Sequence, residues 1–349
     1  MRWKTLDELK ENEILARPIL TEDFQVILPE GAILKQGYIE KLRELNIVKV
    51  SVKEDFLAED AAILKKEIEN LVKEKVKDIL ERHTYHHNDE LMELCETADN
   101  IIISIAEEKE IAEQVFDIKE RSADIYEHSL SICTLSVLTA LKLKLPQDVI
   151  HDIGVGCLLH DIGLRYLTID YESQNLSNLS ESDMAEFKKH SVYGYSALKE
   201  ESWISETSKN IILYHHERMD GSGYPLHATS LPLPIQIVTV CDTFDEMICG
   251  IGCDKVKVYE AVEYLRNYKN IKFSDTVVDM FLEFTAVYPV GTIVLTNEGE
   301  TGLVIRQNKE FPDRPVIRIL TDRYGSKMQT DIIKDLIEIQ HIFIEKVLD

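Results

Sequence analysis

Apolar residues run in short blocks between residues 14 and 52, recur every three or four positions from about residue 60 to residue 284, and return to short runs after Pro289. The first zone predicts strands over ILARPIL and QVILPEGAIL, a helix over YIEKLRELN and a strand over VKVSV, with Pro29, Glu30 and Gly31 supplying a turn. Residues 1–59 therefore read as a small α+β module.

Residues 60–120 read as an acidic helical connector in which Ile68, Val72, Val76 and Ile79 form a narrow apolar stripe. The stripe suits a seam between two copies, hence a homodimer, as well as a connector packed on its own neighbours. His86 and His87 in this zone have no partners at ligand spacing and are not expected to bind metal. Residues 121–287 form a run of amphipathic helices, with Pro146 at a helix start and Gly163 as a stop signal. From residue 288 to 349, VGTIVLT and GLVIRQ flank NEGE as a hairpin, and PVIRIL can add a strand. The fold class expected is mainly α: a helical bundle with a small α+β N-terminal module and a short β-rich C-terminal segment.

Charge narrows the chemistry. The 349 residues include 39 basic and 63 acidic ones, a formal net charge of −24. That field repels a nucleic-acid polymer, and an anionic substrate would need local cations. No window is apolar enough to span a membrane, and the N-terminus lacks the apolar core of a signal peptide, so a cytoplasmic protein is expected. The six cysteines contain no CxxC pair and read as buried, reduced thiols.

Seven ligand-type residues fall on successive helices of the middle zone: His128, His160, Asp161, His190, His215, His216 and Asp242. A bundle can gather such residues by projecting them inward from facing helices, and imidazoles with a few carboxylates suit iron, manganese or zinc. One histidine on an apolar helix is ordinarily a core or surface residue held by a hydrogen bond. Five histidines and two aspartates within VGCLLHDIG, IILYHHE and IVTVCDTFD would be costly to bury together without a compensating charge. A carboxylate adjacent to a histidine can reach between two ions, so two metals fit better than one.

HDIG at 160–163 followed by HHERMDGSGYP at 215–225 resembles the HD-GYP family of the HD superfamily, which includes cyclic di-GMP phosphodiesterases. The resemblance covers about residues 125–284 and implies a binuclear iron or manganese centre in a helical bundle. On that resemblance His128, His160, Asp161 and Asp242 would hold one ion and Asp161, His190, His215 and His216 the other. It further implies Asp161 and Asp245 as catalytic residues, and Arg218, Asp220, Gly223, Tyr224 and Pro225 as substrate contacts. The activity implied is attack of metal-activated hydroxide on a cyclic dinucleotide, giving linear pGpG, GMP or both, with the GYP tripeptide also a contact for diguanylate cyclase domains. Trinuclear members carry Glu four residues before the first histidine; Asp124 stands there, which argues against a third ion.

Three departures remove expected cations. HDIGL places Leu164 where the family has a phosphate-binding Lys, the stretch LTIDYESQNLSNLSESD is polar and acidic, and DTFDEMICGIGCDKVKVYEA offers only Lys255 and Lys257 in place of a basic segment. A Lys at position 164 would thus be expected to raise hydrolysis. The alternative class is a weak or inactive signalling module that binds a cyclic dinucleotide or a protein partner, and a third is another HD chemistry such as mononucleotide hydrolysis.

Overall fold

The structure is a computed structural model and describes residues 2–6, 9, 19–20, 26–28, 32, 34–44, 47, 49–52, 74, 77, 93–107, 124–169, 179–308 and 311–348. Ile68, Val72, Val76, Ile79, His86, His87 and the polar stretch 170–178 lie outside the described residues. The chain divides into two compact units, Met1–Glu74 and Lys75–Asp349.

In the first unit, β1 (Arg2–Thr5) pairs antiparallel with β4 (Lys49–Val52), and β2 (Ile19–Leu20) with β3 (Val26–Leu28). Helix α1 (Gln36–Glu44) contributes Ile39 and Leu42 to a core with Leu6, Ile19, Leu34 and Val50. The alternation in VKVSV marked β4, but RWKT has no apolar alternation of its own and forms β1 through its pairing with β4.

In the second unit, the described residues form nine helices and one sheet. Helix α2 (Glu93–Glu107) lies on α4 (Gln147–Leu159), which also packs on α3 (Ile125–Lys142) and α7 (Glu206–Tyr214). A 3-10 turn (Ile162–Tyr166) leads from the end of α4 to contact with α6 (His190–Leu198). Helix α8 (Leu233–Cys249) is buried almost all round and meets α3, α9 (Val258–Asn267) and α10 (Asp275–Phe284). A helix buried on every side is normally apolar throughout. Asp242 and Asp245, both fully buried on α8, therefore require partners.

The sequence ESDMAEFKKHSVYGYSALKE suggests one helix, but it divides into α5 (Glu181–Phe187) and α6, with a turn at Lys188 and Lys189. Ser180 caps α5, and Asp124 caps α3 by accepting bonds from the amides of Tyr126 and Glu127 at 3.1 and 2.9 Å.

The C-terminal sheet has five antiparallel strands in the order β8-β7-β6-β5-β9: β5 (Ile293–Thr296), β6 (Thr301–Arg306), β7 (Val316–Thr321), β8 (Lys327–Asp335) and β9 (Ile344–Leu348). It closes over Val294, Val304, Ile317, Ile319, Leu336 and Ile342. The first three strands follow the expected hairpin and added strand. The other two are sheet edges whose polar sequences, KMQTDIIKD and IEKVL, carry little apolar signal. No described helix is long and apolar enough to cross a membrane. All six cysteines are free thiols, and burial pushes Cys133 and Cys241 up to about 12.

Candidate metal centre

The site is assembled largely from helix ends. His160 closes α4, and its Nδ1 donates to the carbonyl of Cys157 at 2.7 Å. His190 opens α6 and donates through Nδ1 to Phe187 at 2.8 Å, while His215 closes α7 and donates to Ile212 at 3.0 Å. In each case the acceptor lies three residues back, at a carbonyl near a helix terminus where intrahelical partners run out. His128 follows a different route, giving its Nδ1 proton to Asp245 at 2.7 Å. Because a carbonyl can only accept, the proton of His160, His190 and His215 must sit on Nδ1, which leaves Nε2 as a lone pair. This is the outer-shell pattern that orients metal-binding imidazoles.

Their Nε2 atoms converge on two carboxylates. Asp161 sends Oδ2 to within 3.2 Å of His160 Nε2, and Oδ1 to within 3.4 Å of His190 Nε2 and 3.8 Å of His215 Nε2. Asp242 presents Oδ1 to His128 Nε2 at 3.2 Å and Oδ2 to His216 Nδ1 at 3.6 Å. Donor atoms of Asp161, His190, His215 and His216 lie within 4.8 Å of one another, as do those of His128, His160 and Asp242. His160 Nε2 and both oxygens of Asp242 are buried without a hydrogen-bond partner. Such orphaned donors facing inward fit a pair of cations.

The electrostatics agree. Burial lowers His190 and His216 and pushes His215 down to about 3, which leaves all three neutral and able to ligate at neutral pH. Burial opposes ionisation of Asp161, but the histidines around it outweigh that effect and hold its carboxyl far below the usual range. Burial likewise opposes a charge on His128, yet Asp242 and Asp245 raise its pKa well above the ordinary value.

Glycines permit these approaches. A Cβ on Gly163 would overlap the carbonyl of His190 and come within 2.6 Å of the Gly194 amide, so α6 reaches Asp161 only because this position has no side chain. A Cβ on Gly223 would overlap the backbone of His216, Glu217 and Arg218. That contact lays Tyr224 against His216, with ring centroids 4.6 Å apart and planes at 27°. The Tyr224–Pro225 peptide is cis. Glu217, fully buried, ties the segment down by accepting from the amides of Leu226 at 2.6 Å and Ala228 at 2.9 Å.

Other singled-out residues stand further back. Asp245 lies behind His128 and also accepts from Ser131 at 2.7 Å. Arg218 is committed to the carbonyls of His215 and Glu217, to Thr243 Oγ1 at 2.8 Å, and to the face of Phe273. Asp220 is exposed and closes a turn with the Ser222 amide. Leu164 is buried with Phe187, packed by Ile125, Leu167, Ile169, Leu179 and Met184.

Two residues escaped the sequence reading. Lys188, in the turn before His190, places Nζ 5.3 Å from the centre of the Tyr224 ring. Glu246, one turn after Asp242, joins Asp242 and His216 in a third group of donors within 4.8 Å. Its i+4 spacing from Asp242 was the available signal.

Comparison with known proteins agrees with this architecture. The HD domain profile matches residues 106–277, and that of a KOW domain associated with HD domains matches residues 293–349. This is an HD-domain protein, related to the HD-GYP cyclic di-GMP phosphodiesterases. A Pseudomonas aeruginosa cyclic di-GMP phosphodiesterase is 27% identical over 227 residues, covering 63% of this chain and 54% of that protein. A cyclic di-GMP phosphodiesterase of Thermotoga maritima is 30% identical over 176 residues, covering 48% of each. The HD-domain chain thus spans about half the length of these relatives. An HDG"Y"P protein of Bdellovibrio bacteriovorus shares the fold, with a TM-score of 0.52 at 18% identity, over 80% of this chain and 97% of that one.

Proposed function

We propose that the chain is a metal-dependent phosphodiesterase that hydrolyses cyclic di-GMP or a related cyclic dinucleotide to linear pGpG, GMP or both. The observation that carries this reading is the division of Asp161 between two groups of buried donors, in which His128, His160, His190 and His215 are held through Nδ1 with Nε2 inward. His128, His160, Asp161 and Asp242 would hold one iron or manganese ion, and Asp161, His190, His215 and His216 the other. Two such ions supply an acidified water and positive charge for a phosphodiester at neutral pH.

The remaining work falls to the chain. Asp245 keeps the His128 ring turned toward Asp242, and the carbonyls of Cys157, Phe187 and Ile212 do the same for the other three histidines. Burial raises the Tyr224 phenol, so it remains a neutral O–H donor on the wall that Gly223 and Pro225 shape. Lys188 provides a cation on the same side as Tyr224 for a phosphate that Leu164 cannot hold.

The test is incubation of anaerobically metal-loaded protein with cyclic di-GMP, 3′3′-cGAMP and cyclic di-AMP, with products separated by chromatography. Linear dinucleotide or mononucleotide should form from at least one substrate and not with Asp161→Asn. The apolar burial of Leu164 favours a second reading, a module that binds the nucleotide without turnover. Tight binding with full metal and no product would establish that reading.

A further inference from the structure

Three hydroxyls of α3 turn back on their own helix: Ser129, Thr134 and Thr139 each donate to the carbonyl four residues earlier, at 3.0, 2.9 and 2.7 Å. Ser131 reaches across instead, and its Oγ donates to Asp245 Oδ1 on α8 at 2.7 Å. The other oxygen of that carboxylate, Oδ2, takes the His128 Nδ1 proton at 2.7 Å and has Cys249 Sγ at 3.6 Å. A thiol is a weak donor and adds little to that hold. Asp245 is wholly buried, and the terminal torsion of an aspartate is broad, so a bond to one oxygen leaves the carboxylate plane loosely set. Ser131 holds the second oxygen and sets the plane. His160, His190 and His215 need no such support, because they donate to carbonyls whose direction the main chain already sets.

We infer that Ser131 is a positioning residue for the ion at His128, acting through Asp245. Ser131 stands one turn after His128 on α3, so two bonds between the same pair of helices, α3 and α8, align the imidazole. A ligand held in line before the cation arrives gives up less freedom on binding it. One ion position of the centre thus depends on a side chain two residues removed from the metal, which the position at His190 and His215 does not. This inference rests on the two-ion reading of the centre.

The experiment compares the full wild-type chain with Ser131→Ala, Ser131→Val and Ser131→Thr; Val and Thr share a shape and differ in the hydroxyl. In metal-free protein the His128 Nδ1 proton is followed by nuclear magnetic resonance, assigned by its absence from His128→Gln. Mn2+ is then titrated under anaerobic conditions, with free ion read by paramagnetic resonance. Wild type and Ser131→Thr should bind two ions alike and show the same downfield proton. In Ser131→Ala and Ser131→Val that proton should exchange faster with solvent, and one of the two ions should bind about 3–10-fold more weakly, the scale of one hydrogen bond, while the other changes less. Wild-type exchange and affinity in the Ala and Val variants would overturn the inference and leave the two-ion centre standing. Equal losses in the Thr and Val variants would also overturn it, because shape rather than the hydroxyl would then decide. No Mn2+ bound by wild type would overturn the two-ion reading and this inference with it.

Discussion

Asp245 Oδ2 accepts a 2.7 Å hydrogen bond from His128 Nδ1, and both residues are almost wholly buried. Asp245 and Asp242 lie one helical turn apart on α8, so one helix both orients this imidazole and faces its inner nitrogen. Asp245→Asn should leave the bundle folded but free the ring to turn and make it a poorer ligand. Affinity for the ion at His128 is expected to fall about 10–100-fold, as for other outer-shell partners of metal-bound histidines. Metal titration followed by thermal melting checks this; unchanged affinity would place Asp245 in some other role.

Asp161 divides its two oxygens between His160 and the pair His190 and His215. Asp161→Asn retains the shape and removes the charge that favours two cations at once, so bound metal should fall by half or more. His215→Ser should do the same by removing a donor at the base of the second group. Full occupancy in either variant, measured by elemental analysis, would contradict the assignment.

The sequence led us to expect that Leu164→Lys would add a phosphate anchor and raise hydrolysis. In the structure the Leu164 side chain is buried against Phe187 and surrounding apolar groups. An ammonium placed there loses hydration without an evident partner, so a stability loss of about 2–3 kcal/mol is expected. Denaturant unfolding should show this loss. Lys188→Ala, on the Tyr224 side, should instead raise KM for a cyclic dinucleotide with little change in stability.

Gly163→Ala forces a methyl group into the backbone at His190 and Gly194. Either α6 moves away from Asp161 or the 3-10 turn distorts, at a cost of about 1–3 kcal/mol. The expected outcome is a lower melting temperature together with loss of the ion at His190. A variant with wild-type metal content and stability would show that the two segments can separate freely.

Without metal, stability should rise between about pH 4 and 6.5. In that interval folded His190, His215 and His216 stay neutral because burial lowers them, whereas their unfolded counterparts take up protons near pH 6.5. The lowered Asp161 acts in the same direction: its stabilisation is present above its unfolded value near 3.9 and is lost in stronger acid. His128 opposes them, since its stabilisation is complete below about pH 6.5 and is lost as pH climbs through its raised value. That loss falls only above this interval. Within it the Glu246 carboxyl, raised by burial and by Asp242, opposes the rise and is outweighed by the three lowered histidines. Urea midpoints that stayed level or declined toward pH 6.5 would refute the sign.

The ligand-type residues were legible because each stands in an apolar stretch where a charge has no other reason to be, as His160 does after VGCLL and Asp242 after IVTVC. Spacing could not show that Arg218 turns inward to carbonyls or that Leu164 packs against Phe187, because both depend on contacts between segments far apart in sequence, Arg218 with Thr243 and Phe273 and Leu164 with Phe187. Glu246 was obscured by its surroundings: in DTFDEMI an extra acidic residue looks like an exposed helix position, and only the burial of α8 on every side reveals otherwise. Strands β8 and β9 were missed because edge strands tolerate polar faces.

The bonds from His160, His190 and His215 to carbonyls three residues back make the ends of α4, α5 and α7 part of the same assembly. Helix ends ordinarily fray independently and exchange their amide hydrogens fastest. Here two ions, one at His160 and one at His190 and His215, joined through Asp161, would couple those separate openings into one rare event. Release of metal and deuterium uptake at the three helix ends should then share a single rate.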